Sequence, residues 1–222
     1  MKKDRLRICL SVLLCCLVMA LTDGVWKPAY AVKSAVKILL FLCVPLVYTI
    51  FRRLSPASLF RPDKTAVLMG LVLGSVTFAI IISGYLLLRN YIDFSFIPGS
   101  LMENGGISAD NFLYVSLYIA FCNSLLEEFF FRGFAYLTLK KVCTPLWATL
   151  FSAGAFALYH GGMLDGWFSP LLYIGTLIAL FVCGLFFNYL NTRSQRIWVS
   201  WLTHMGANLA INTVGMILLG MI

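Results

Sequence analysis

Glu127 and Glu128 stand side by side in the apolar stretch Leu125-Leu126-Glu127-Glu128-Phe129-Phe130-Phe131, and Arg132 follows one turn further on. The whole chain of 222 residues has nine acidic residues and two histidines. A charged side chain at mid-membrane depth costs roughly 2.5–3.5 kcal/mol on insertion scales, so two adjacent carboxylates there point to chemistry that needs them. Glu128 and Arg132 are spaced i, i+4 and share a helix face, with the acid first, the favourable order. Glu127 points about 100° away, which leaves it without that cation. Two carboxylates in unlike surroundings suit unlike roles, one a base and one a structural anchor.

Two further clusters carry polar groups. His160 closes the run Phe156-Ala157-Leu158-Tyr159-His160, and His204, Asn208 and Asn212 recur at i, i+4 and i+8. A carboxylate with an imidazole can hold and deprotonate a water. An imidazole N–H and an amide NH₂ can donate to a developing oxyanion. No serine, cysteine or threonine clusters with the histidines in sequence, so the inventory describes water attacking a carbonyl carbon. Zinc is the rival, with Glu127, His160 and His204 as its ligands. The HExxH spacing is absent and Glu128 is matched to Arg132, so no cofactor is expected, while a divalent metal such as zinc stays open as the alternative. Tyr159, Trp201 and the Phe129–Phe131 run read as packing groups.

The elements that must position these groups are membrane helices. Hydrophobic residues make up 61% of the chain and charged residues 12%, with a mean hydropathy of +0.90. Soluble domains carry about twice that charged fraction. The apolar runs are long and unbroken, unlike the alternating segments of a barrel. The fold class is therefore all-α, a polytopic transmembrane helix bundle of about seven spans, with six to eight compatible with the length. The patterning predicts helices over 8–26, 31–51, 66–88, 112–140, 147–160, 171–190 and 197–222. Pro28, a basic loop around Arg52, Arg53, Arg61 and Lys64, Thr144-Pro145, Gly161-Gly162, Asp165-Gly166 and Pro170 mark the breaks. We divide the chain into N-terminal transmembrane helices (1–92), a polar loop (93–111) and a helical core that carries the motifs (112–222). Gly70-x-x-x-Gly74 and the small residues of 152–157 suit close helix packing.

Charge and depth refine this. The net charge of +8 comes from loop-sized basic clusters, so it is not a nucleic-acid signal; no nucleic acid is expected as a partner, and the charge follows the positive-inside rule. With the N-terminus inside, inner segments hold Lys2, Lys3, Arg5, Arg7, Arg52, Arg53, Arg61, Lys64, Lys140, Lys141, Arg193 and Arg196. Outer segments hold Lys27, Lys33, Lys37 and Arg89, and this asymmetry places the N-terminus in the cytoplasm. The basic start before Ile8–Leu21 and the small residues at Ala29 and Ala31 imitate a signal peptide; we read them as an uncleaved first span. The seven cysteines are scattered and show no CxxC or Cys/His ligand spacing. Glu127 lies thirteen residues before Lys140, and His160 thirteen after Trp147, each roughly 20 Å along a helix. His204 and Asn208 fall roughly 10 and 16 Å beyond Ile197. Three helices thus bring polar groups to the middle of a membrane about 30 Å thick.

The set Glu127-Glu128-x-x-x-Arg132, Phe156-x-x-x-His160 and His204-x-x-x-Asn208 resembles the CPBP family, the CAAX-protease and bacteriocin-processing (Abi) intramembrane proteases. Order, spacing and helix placement match over about residues 112–212. The resemblance implies that Glu127 activates water with His160, that His204 and Asn208 stabilise the oxyanion, and that Glu128 and Arg132 support them. It implies an endopeptidase in the cell membrane, with the lipid bilayer and a membrane-associated or lipidated peptide or protein as partners. Two other classes use similar residues: a non-catalytic bacteriocin-immunity or scaffold protein, and a proton-coupled transporter, whose paired broken helices and inverted repeat are not visible here.

Overall fold

The computed structural model describes residues 2–53, 55–61, 63–164 and 169–222. Among them the regular elements are all helical. We label the helices α1 (Lys2–Trp26), α2 (Tyr30–Phe51), α3 (Lys64–Leu88), α4 (Ile97–Gly105), α5 (Ala109–Lys141), α6 (Pro145–Leu164), α7 (Pro170–Ser194) and α8 (Trp198–Leu218). A 3₁₀ turn, Pro56–Phe60, precedes α3. The seven predicted helices all form, and α4 occupies the segment read as a polar loop. Five of the eight (α1, α2, α3, α5 and α7) are long and apolar enough to cross a membrane. The chain is an all-α membrane helix bundle. The helices α6 and α8 are long enough to span, but glycine, serine and the motif residues dilute their apolar character.

Punctuation explains most boundaries. Lys27 adopts a left-handed φ of 47° at the end of α1, and Pro28 follows. Asp63 caps α3 by accepting from the N–H groups of Thr65 and Ala66. Ser108 and Asn111 form a reciprocal capping box that starts α5. Pro145 and Pro170 open α6 and α7. Inside α2 the turn at Leu39–Cys43 widens just before Pro45, whose ring lacks an N–H to continue the regular ladder.

One expectation fails. Gly161-Gly162 do not end α6, which runs on to Leu164. The two glycines are instead points of close approach. A side chain at Gly162 would meet the backbone of Ala20 at 3.0 Å, and one at Gly161 would meet the Tyr173 hydroxyl at 2.8 Å. The turn read at Asp165-Gly166 lies outside the described residues.

The chain forms two compact units. One comprises Met1–Arg61 with Leu126–Ile197, and the other Pro62–Leu125 with Trp198–Ile222. In the first, Ile8, Val12, Cys15 and Met19 line one stripe of α1 and are buried, while Leu6, Leu10, Leu13, Leu14 and Leu17 are exposed. A leucine-rich exposed face suits lipid rather than water. Phe41 of α2 stacks on Phe130 at 4.0 Å and meets Phe131 and Tyr159 edge-on, so the phenylalanine run of α5 does pack a core. Gly184 of α7 lies against Ala153 of α6, the close packing expected of 152–157. In the second unit α3 and α8 lie in close contact. A side chain at Gly74 would meet the Leu202 carbonyl oxygen at 2.6 Å, and one at Gly206 would clash with the backbone of Gly74. The Gly70/Gly74 pair is thus a packing device, as its spacing suggests.

Candidate active site

α5 is not uniform. Regular turns at Ala109–Leu117 and Ser124–Glu127 alternate with wider turns at Tyr118–Asn123 and Glu128–Thr138. Such widened turns in a helix recur at functional sites, because they turn side chains and carbonyls off the regular helical rows. The two glutamates sit where the second widening begins.

Glu127 and Glu128 are both buried, with different partners. Glu128 pairs with Arg132 of its own helix, Oε1 to Nη1 at 3.2 Å, as the i, i+4 spacing predicts. The Arg132 guanidinium also lies over the Phe156 ring at 4.1 Å and the Phe187 ring at 4.8 Å, each close enough for a cation–π contact. Three helices of one unit thereby converge on a single buried cation.

Glu127 does not lack a cation. The Lys37 Nζ of α2 donates to Glu127 Oε1 at 3.1 Å. The Tyr159 hydroxyl of α6 donates to the same oxygen at 3.4 Å. The other oxygen, Oε2, faces His160 Nε2 at 3.8 Å. His160 Nδ1 lies 2.7 Å from the Phe156 carbonyl oxygen. A carbonyl can only accept, so Nδ1 carries the proton and Nε2 presents its lone pair when the ring is neutral. The arrangement divides the carboxylate: Oε1 is held, and Oε2 faces an imidazole whose ring is fixed by its own helix.

His204, Asn208 and Asn212 lie in the second unit, on α8. His204 and Asn212 are buried. Asn208 Nδ2 donates to the Ile119 carbonyl oxygen at 3.1 Å, and Asn212 Nδ2 to that of Ser116 at 2.8 Å. These bonds join α8 to the first part of α5. An amide NH₂ has two protons, and the bond to Ile119 takes one. Trp201 Nε1 donates to the Phe121 carbonyl and to Ser124 Oγ, so it ties α8 to the same stretch.

Sequence reasoning missed Lys37 and the Tyr159 hydroxyl. The sequence places Lys33 and Lys37 in the second helix among the outer charges; in α2 both form ion pairs, Lys33 Nζ with Asp23 Oδ1 at 3.4 Å and Lys37 Nζ with Glu127 Oε1 at 3.1 Å. The signal was available, since a lysine seven residues into an apolar span has the same cost as a buried glutamate and needs a partner.

Residues 109–210 match the family described as Type II CAAX prenyl endopeptidase Rce1-like. This stretch is similar to that family. It runs from the first residue of α5 past Asn208, so it takes in all three motif clusters. No curated protein and no solved structure matches the chain. The similarity supports a protease function in a chain that is a membrane helix bundle.

Proposed function

We propose that this protein is an intramembrane endopeptidase in which Glu127 is the base that activates water. The observation that carries the reading is the buried Glu127 Oε2 facing His160 Nε2 at 3.8 Å, within the Rce1-like region. A water beside both groups loses a proton to Oε2 as its oxygen bonds to the scissile carbonyl carbon. The carbonyl oxygen then carries the negative charge, and the motif correspondence gives His204 and Asn208 the task of donating to it. The C–N bond breaks, and the proton held by Glu127 passes to the leaving nitrogen. Glu128 and Arg132 neutralise each other beneath the base and hold the helix that carries it.

Zinc fits this donor set poorly. A zinc ligand carboxylate faces a dication, whereas Glu127 faces the Lys37 ammonium. The steps above use the chain's own residues alone. The substrate class is a peptide reached from the bilayer, lipidated or membrane-spanning. The cell membrane is the proposed location, with the N-terminus in the cytoplasm.

The test is cleavage by purified protein in lipid vesicles of a panel of prenylated CAAX-type and transmembrane peptides. Wild type cleaves, Glu127→Ala and His160→Ala lose at least about 100-fold in turnover while still folding, and a chelator changes nothing. Normal cleavage by both variants sinks the reading; chelator sensitivity removes its metal-free form. Proton flux into vesicles that is lost in Glu127→Gln, without cleavage, would favour a transporter.

A further inference from the structure

Three buried carboxylates in the first unit each face a cation: Asp23 faces Lys33, Glu127 faces Lys37, and Glu128 faces Arg132. The last pair lies within the family motif. The first two use lysines on one face of α2, spaced i, i+4, in a part of the chain outside the Rce1-like region. Resting on the proposed function, we infer that Lys37 is a positioning residue of the reaction: it holds Glu127 Oε1 so that Oε2 is kept toward His160.

The geometry separates the two oxygens. Lys37 and Tyr159 both donate to Oε1, and the Lys37 ammonium also lies 5.0 Å from the Tyr159 ring centroid. Both ion-pair side chains are almost enclosed, Lys37 at 12% and Glu127 at 3% exposure. A carboxylate turned by half a rotation would exchange its oxygens. Two donors on one side, from two different helices, oppose that rotation. Lysine suits the task because its ammonium is a compact point charge that can engage one oxygen. An arginine fork in the same place would take both oxygens at once. Lys33, one turn earlier, has its own carboxylate in Asp23, so the two lysines of α2 serve different acids. That second pair provides an internal control: it is buried on the same helix and does not touch Glu127.

The experiment compares Lys37→Met with Lys33→Met in the full chain in lipid vesicles, with the same peptide panel. Each variant removes one cation of a buried pair, and each lowers Tm by about 5 °C or more. Turnover is measured well below both melting points and per folded molecule. Lys37→Met loses roughly 100-fold in kcat with little change in KM, because the base is misoriented. Lys33→Met keeps kcat within about twofold of wild type, since it leaves the base in place. Equal kcat in the two variants would make Lys37 a packing residue and overturn the inference, even with the protease reading intact. A thermal cycle with Glu127→Gln and the Lys37→Met/Glu127→Gln double variant tests the pair without any cleavage. The double variant melts above the sum of the single losses if the two side chains are coupled. Strict additivity overturns the inference whatever the peptides show. Absence of cleavage by wild type removes the proposed function and this role with it; coupling in the cycle would then mark a structural ion pair.

Discussion

Arg132 shows how a single buried residue can hold several elements. Its guanidinium meets the Glu128 carboxylate and the faces of Phe156 and Phe187, and it is fully enclosed. Loss of one partner of a buried pair leaves the other charge without compensation, at a cost of about 3–5 kcal/mol. Arg132→Leu is therefore expected to lower Tm by several degrees in a thermal unfolding assay. Arg132→Leu/Glu128→Leu should recover much of that loss, because it removes both charges at once. A double variant no more stable than the single one would show that the aromatic contacts, rather than the ion pair, carry Arg132.

Glycine sets how closely the helices approach, and the effect is local to particular faces. Gly206 lies between His204 and Asn208 on α8 and abuts the backbone of Gly74 on α3. A methyl group there has backbone against it, which cannot yield as a side chain end can. Gly206→Ala is expected to cost roughly 1–3 kcal/mol by forcing α3 from α8. It should also lower turnover, since it moves the helix that bears two motif residues. Gly84 on the same α3 has open space where a Cβ would stand. Gly84→Ala should leave turnover unchanged and raise stability by up to about 1 kcal/mol, through helix propensity. Thermal unfolding and cleavage of the two variants side by side check this contrast. An equal effect at both sites would mean that approach distance does not govern α3 and α8.

Across the whole molecule, charge asymmetry sets the proposed orientation. Lys33 and Lys37 are engaged in ion pairs inside the first unit, so the remaining outer charges are Lys27 and Arg89, against twelve inner ones. Their removal from the count strengthens the bias. In a chain whose seven cysteines have been replaced, Lys27→Cys should react with a membrane-impermeant maleimide from outside intact cells. Arg193→Cys should react only after permeabilisation. The reverse pattern would invert the protein in the membrane and place the N-terminus outside.

The sequence by itself determined the seven longer helices and the pairs that lie within one helix. Apolar runs interrupted by Pro28, Pro145 and Pro170 delimit α1, α6 and α7 because proline cannot continue the backbone ladder. Glu128 meets Arg132, and Asn208 and Asn212 share a face, because helix geometry fixes neighbours three and four residues apart. The motif spacings were legible for the same reason, being spacings inside helices. Only the tertiary structure decided what Glu127 faces. Its partner Lys37 is ninety residues away in the chain, a separation on which no helical period acts. It also decided that Tyr159 donates to Glu127 as well as packing on Phe41. Gly161-Gly162 follow the same rule: in sequence a glycine pair reads as a helix end, and only the nearness of Ala20 and Tyr173 shows it to be a contact. Local periodicity carries information about a helix's own faces, while the choice of which faces meet depends on packing between segments distant in the chain.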